Sequence, residues 1–202
     1  MRHAVSCAIF VCAALSAQDA RLGETALAGD AKGPLAACAD RLEFLKPKDG
    51  KLLAEAGRFQ LLAGNVRKGE DLLRFAEMMD PKDREVMRLI GLAYLKAGRR
   101  KDAVAAYEKI LGRDGGPRRA LANAGVDLAE AGIIREAERF MDGFALLEPN
   151  DWEVFIAFGR AHLRGGARLS AAPWFHRAIV LKPQEERVYL EIGRAYSDSR
   201  PR

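Results

Sequence analysis

Cysteine is nearly absent. Of three in 202 residues, Cys7 and Cys12 fall within the first twelve, which leaves Cys38 alone downstream. A single thiol excludes an internal disulfide framework and a cysteine-built metal site, and Cys38 is expected as a small buried helix residue. Aromatic residues are sparse at 7%, and the short basic clusters Gly98–Lys101 and Pro117–Ala120 carry no interleaved aromatics. This argues against a nucleic-acid platform, which needs stacking rings along a basic track. Charge of one sign is also lacking: 33 basic residues against 28 acidic leave a net +5. No HExxH, CxxC, GxSxG, Walker or GxGxxG pattern occurs, so the spacings that hold a metal, a nucleophile or a phosphate are missing. His162 and His176 lie on consecutive helical segments without an acidic or cysteine partner at ligand spacing, and read as structural or surface histidines. No cofactor, metal or small-molecule substrate is indicated, and the chain reads as non-enzymatic.

Long apolar runs are confined to the start. After Arg2 and His3 no charge appears from Ala4 until Asp19. That stretch is shorter than the roughly 20 residues a spanning helix requires. A basic start, an apolar core and a small-residue exit after Ala17, or after Ser16, predict a secretory signal over 1–17. The expectation is an exported protein, periplasmic or extracellular, with no transmembrane segment once the signal is removed.

What is abundant is recurrence. Gly91 has counterparts at Gly23, Gly57, Gly125, Gly159 and Gly193, and Gly98 at Gly64, Gly132 and Gly166, all in steps of 34. Pro47, Pro81, Pro149 and Pro183 keep the same register, with Gly115 and then Pro117 where a further proline is due. Between these markers apolar residues recur at steps of three and four, so each unit reads as helix, turn, helix, turn. Gly64, Gly98, Gly132 and Gly166 are placed at left-handed caps. The Gly91 series sits inside helices, where glycine costs about 0.5–1 kcal/mol against alanine. Close helix approach is the expected compensation, with Gly69, Ala103, Ala137 and Ala171 facing these glycines from the partner helix.

Residues 84–117, with Ile90-Gly91, Tyr94, Ala103 and Tyr107, resemble the tetratricopeptide repeat family. Residues 152–185 do so again through Phe155, Phe158-Gly159, Ala171, Phe175, Ala178 and Pro183. Departures are Ile110 and Phe144 at a small-residue position, Leu35 for alanine, and His162 where tyrosine is usual. The resemblance implies an all-α, right-handed α-solenoid of helix-turn-helix repeats over 18–202. Its units fall at about 18–49, 50–83, 84–117, 118–151 and 152–185, with a capping helix in 186–202. In that cap Val188, Tyr189, Ile192 and Tyr196 are expected to pack back, while Glu186, Arg187, Glu191 and Arg194 face water.

The resemblance further implies a concave groove lined by the first helices, binding an extended peptide or a partner helix. On that stripe lie Lys51, Arg58, Arg88, Lys96, Arg119, Arg160, Arg164, Arg187 and Arg194, against Glu24, Glu85, Glu130, Glu153 and Asp198. Nine bases facing five acids suit an acidic protein segment, since arginine grips carboxylates bidentately. The function expected is a protein-protein interaction adaptor or assembly factor. The alternative is a permanent structural subunit of a larger envelope or secretion assembly. Trp152 and Trp174 are read as packing residues.

Overall fold

The structure is a computed structural model that describes residues 32–111 and 118–199. The signal segment 1–17 and the markers Gly23, Glu24, Gly115 and Pro117 lie outside the described residues. Ten helices follow one another there: α1 (Lys32–Leu45), α2 (Gly50–Leu62), α3 (Val66–Met79), α4 (Arg84–Lys96), α5 (Arg100–Leu111), α6 (Arg119–Glu130), α7 (Ile134–Leu147), α8 (Trp152–Arg164), α9 (Arg168–Leu181) and α10 (Glu186–Asp198). No strand occurs among the described residues. The fold is an all-α helical repeat: first helices begin at Gly50, Arg84, Arg119, Trp152 and Glu186, and second helices at Val66, Arg100, Ile134 and Arg168.

The helices fall into two compact units. One runs to Pro81 and takes in Lys96–Gly98; the other holds Lys82–Leu95 and everything from Arg99 onward. In the first unit, α2 packs between α1 and α3. Asp49 caps α2 by accepting from the backbone N–H groups of Lys51 and Leu52. Asp80, just past α3, accepts from Gly50 N at 3.1 Å and ties the two helix ends together. Such a cap is worth about 1 kcal/mol. Cys38 is exposed on α1, which corrects the buried placement: α1 buries only Ala39, and Cys38 falls on its open side.

In the second unit, α6 packs on α7 and α8, and α8 in turn on α9 and α10. Its core is aromatic and dense, with Tyr107, Phe140, Phe144, Phe155 and Phe158 all fully buried. Tyr107 meets Phe140 edge-on at 6.2 Å, and Trp174 stands against Phe158 at 5.0 Å. Ile110 and Phe144, which depart from the repeat pattern, fill core volume rather than disturb it.

Gly64, Gly98, Gly132 and Gly166 all have positive φ, between 72° and 90°. A side chain there is strained, so these glycines stop the first helix of each pair and let the chain reverse. The mid-helix series has a mixed explanation. At Gly57 an added Cβ would lie 3.0 Å from Gly69 O and 2.7 Å from Leu73, so small does meet small. At Gly91 and Gly159 the obstructing group is an aromatic ring instead, Tyr107 at 2.8 Å and Phe175 at 2.5 Å. Ala103 and Ala171 are themselves buried, but the ring four residues on lies across the glycine. At Gly193 nothing lies within 4 Å.

Helix α10 buries Val188 and Ala195. Tyr196 packs on Phe175 at 5.4 Å, as expected, whereas Tyr189 is half-exposed and donates its hydroxyl to Pro183 O at 2.8 Å.

Candidate functional site

The first helices of the second unit, α4, α6, α8 and α10, lie side by side through a ladder of ion pairs that uses the arginines singled out in the sequence. Arg88 on α4 bonds Glu85 at 2.7 Å and crosses to Asp127 on α6 at 2.9 Å. Arg119 on α6 approaches Asp151, the N-cap of α8, at 3.5 Å. Arg164 on α8 reaches back to Glu130 on α6 at 2.8 Å. Between α8 and α10, Arg160 pairs with Glu191 at 2.5 Å and Arg187 with Glu153 at 2.9 Å. Arg194 also takes Glu191, at 3.0 Å. The six arginines are therefore brought together on one face, but each is already matched by a carboxylate.

These pairs differ in depth. The side chains of Arg164 and Arg187 are each 63% exposed, so their pairs contribute no more than about 1 kcal/mol and are open to exchange. Arg88 and Asp127 are only 14% and 17% exposed, and Tyr107 donates its hydroxyl to the same Asp127 oxygen at 3.2 Å. Burial alone would push the Arg88 guanidinium down, but the Glu85 and Asp127 carboxylates outweigh it and hold it up. Burial raises Asp127, opposed by Arg88 and Tyr107. Burial likewise raises Tyr107. Arg88 thus belongs to the internal framework, and its guanidinium is committed there.

The remaining members of the stripe belong to the first unit. Lys51 is exposed at the start of α2, and Arg58 on the same helix bonds Glu55 at 2.5 Å and stacks over Phe59. Lys96 is exposed in the last turn of α4.

Two depressions open between α8 and α10. One, of about 210 Å³, is lined by Trp152, Glu153, Ile156, Ala157, Arg160, Arg187 and Glu191. The other, of about 240 Å³, is lined by Arg160, Leu163, Arg164, Ala195, Asp198 and Ser199. Arg160 borders both. Each is smaller than the roughly 300–1,000 Å³ of a small-molecule site and suits a side chain or two. Trp152 forms an apolar wall under the Arg187 guanidinium, 5.7 Å from its ring centroid. Sequence reasoning assigned Trp152 to packing and missed this wall. The signal that could have found it is the opposite charge one repeat apart, Glu130 with Arg164 between α6 and α8 and Glu153 with Arg187 between α8 and α10.

Trp174, by contrast, is a packing residue as expected: it is buried and donates Nε1–H to Glu138 at 3.0 Å. Beside it His162 is completely buried, edge-on to Phe158 at 4.4 Å. Its Nε2 lies 3.0 Å from Glu138 but off the axis a hydrogen bond needs, so both ring nitrogens lack a partner. Burial pushes the His162 pKa down and the Glu138 pKa up. His176 is exposed on α9. Among the described residues no group of three or more histidines, cysteines or carboxylates is placed to hold a metal ion, and no helix is long and apolar enough to cross a membrane.

No family model matches the chain, and no curated protein matches it. Among solved structures, a MamA protein is similar over 86% of this chain and 94% of its own, at 16% identity and a TM-score of 0.47. YrrB, described as a TPR protein with an unusual peptide-binding site, is similar over 86% of this chain and 88% of its own, at 16% identity and a TM-score of 0.45. A further MamA structure covers 84% of this chain and 97% of its own, at 21% identity and a TM-score of 0.43. The 34-residue recurrence of helix, left-handed glycine, helix and turn, running from α2 to α10, gives this chain the tetratricopeptide-repeat fold.

Proposed function

We propose that this protein is a non-catalytic interaction adaptor or assembly factor that holds an extended segment of a protein partner against α8 and α10. The observation that carries this reading is the pair of side-chain-sized depressions that share Arg160. An apolar side chain of the partner fits against Trp152 and Ile156, and an acidic one exchanges with Glu153 or Glu130 for the exposed guanidinium of Arg187 or Arg164. Exchange costs little because the resident pairs are solvated. The basic stripe offers arginines that are paired at rest, so partner binding is a swap of carboxylates rather than capture by an unbalanced positive field.

Export belongs to the same proposal: the basic start and uncharged core of residues 2–18 support removal of a signal and work outside the cytoplasm. Binding of an array of acidic-apolar peptides by the purified protein is the direct test. Binding should weaken as salt rises from low ionic strength past 0.1 M, where screening acts over about 10 Å. It should be lost in Trp152→Ala and in Arg187→Gln. Peptides held equally by both variants would refute the site.

A second reading, a permanent subunit of a larger envelope or secretion assembly, is favoured by Leu169 at the start of α9, which is 93% exposed. Co-purification with fixed stoichiometry through size exclusion would support that reading over a reversible receptor.

A further inference from the structure

In four helix pairs the first helix buries its mid-helix glycine under the second. A Cβ at Gly57 would lie 2.7 Å from Leu73, at Gly91 2.8 Å from Tyr107, at Gly125 3.5 Å from Met141 and at Gly159 2.5 Å from Phe175. These covering residues recur every 34 positions, and each stands four after a small one: Gly69, Ala103, Ala137 and Ala171. Residues four apart share a helix face, so a small residue followed by a large apolar one is the step this chain uses to seat a helix on a glycine.

Helix α10 carries the same face uncovered. Gly193 keeps the register 34 after Gly159, yet it is exposed and an added Cβ would meet nothing within 4 Å. Tyr189 takes the position of Phe155, which is fully buried against the Trp174 ring at 5.6 Å; Tyr189 is 49% exposed. The neighbouring helix α9 supplies the other wall. Its Ala172 and His176 are the register counterparts of Glu138 and Glu108, which bond Trp174 and Arg139 of the second helix that follows each, and both are exposed. Among the described residues no helix sits on this seat.

We propose that the seat formed by Tyr189 and Gly193 of α10 with Ala172 and His176 of α9 docks an amphipathic helix of a different protein, one that carries the same small-to-large step. The occupant follows from continuity with the α8–α9 interface: the glycine leaves room for a ring, and the tyrosine offers the edge that Phe155 offers to Trp174. A second copy of this chain has no such helix to give. Helices α3, α5, α7 and α9 already cover their own glycines, and α1 has Leu35 and then Ala39 at the two positions, the reverse order. The seat shares no residue with the α8–α10 depressions, so either assignment can fail alone.

The test is fluorescence anisotropy of the full chain with a labelled synthetic peptide of the α5 sequence, Arg100–Leu111, which has the step at Ala103 and Tyr107. A covalent staple between positions 101 and 105, both exposed in the fold, holds the peptide helical and lowers the cost of ordering it. Saturable binding is expected, with a Kd below about 1 mM. Gly193→Leu fills the seat and should weaken binding roughly tenfold. Tyr107→Ala in the peptide should do the same, roughly tenfold, with the protein untouched. Leu190→Gln is the control: Leu190 is 53% exposed but stands in the register of Ile156, which lines the α8–α10 depression, and this variant should bind as the parent does. Gly193 is exposed, so Gly193→Leu should melt no lower than the parent. The proposal is overturned if the parent fails to bind, if Gly193→Leu or the altered peptide binds undiminished, or if Leu190→Gln loses as much as Gly193→Leu. It is equally overturned if the parent forms a dimer that Gly193→Leu dissociates, since a second copy would then occupy the seat.

Discussion

Arg88 and Asp127, 39 positions apart, form the deepest ion pair joining neighbouring first helices in the second unit, with a 2.9 Å contact that Tyr107 shares from α5. Removing one partner strands a buried charge, and the expected cost is about 3 kcal/mol for Arg88→Met or for Asp127→Ala. The double variant should recover part of that loss, because no unpaired charge remains. Chemical denaturation of the three variants in a thermodynamic cycle measures the coupling, and additive losses would show that the pair does not act as a unit. A consequence follows for binding work: charge reversal at Arg88 perturbs the fold, so Arg164 and Arg187 are the informative positions.

Two mid-helix glycines should respond in opposite directions. Alanine at Gly91 would place a methyl 2.8 Å from the Tyr107 ring. The expected net loss is about 1–2 kcal/mol, overpacking outweighing the gain in helix propensity. Alanine at Gly193 meets nothing within 4 Å and should stabilise α10 by up to about 1 kcal/mol. Thermal midpoints that move in the same direction for both would contradict the close-approach account.

His162 is buried without a hydrogen-bond partner, and burial lowers its pKa below the ordinary value of 6.5. Above that value the ring is neutral in both folded and unfolded chains, and stability is unaffected. As the pH falls through it, the unfolded chain takes up a proton that the folded one resists, and stability declines by up to about 1.4 kcal/mol per pH unit. Glu138, the carboxylate facing it from α7, is raised and therefore acts in the opposite sense, favouring the folded state as the pH falls. The difference in thermal midpoint between the parent and His162→Leu, followed from pH 7.5 to 5.5 in steps set by that ordinary value, isolates the histidine. The parent should lose stability faster than the variant.

The recurrence of helix pairs was legible in the sequence, because the glycine register is dictated by backbone conformation: only glycine takes the positive φ at Gly64, Gly98, Gly132 and Gly166 without strain. Side-chain partners were less legible. A count of nine bases against five acids says nothing of who pairs with whom, and pairing between helices depends on rotamers and on the offset of neighbouring repeats. Arg88 finding Asp127 rather than a carboxylate one repeat away is such a case. Gly91 was read correctly as a point of close approach but with a small neighbour; the Tyr107 ring lies there because its hydroxyl is drawn to Asp127. Trp152 was missed for a different reason: tryptophan at a helix start packs far more often than it lines a depression, and only the position of α10 leaves its face open.

Site-specific photo-crosslinking in the native host tests the central claim most directly. A benzophenone side chain at Ala157, exposed in the wall of the Trp152 depression, reports on whatever occupies the space between α8 and α10. The same group at Leu169 reports on the start of α9. The expected result is a discrete adduct with one protein from position 157, abolished by Trp152→Ala and by Arg187→Gln, with none from position 169. Adducts from position 169 alone, or adducts from position 157 that persist in both variants, would contradict the assignment of this face as the partner-binding site.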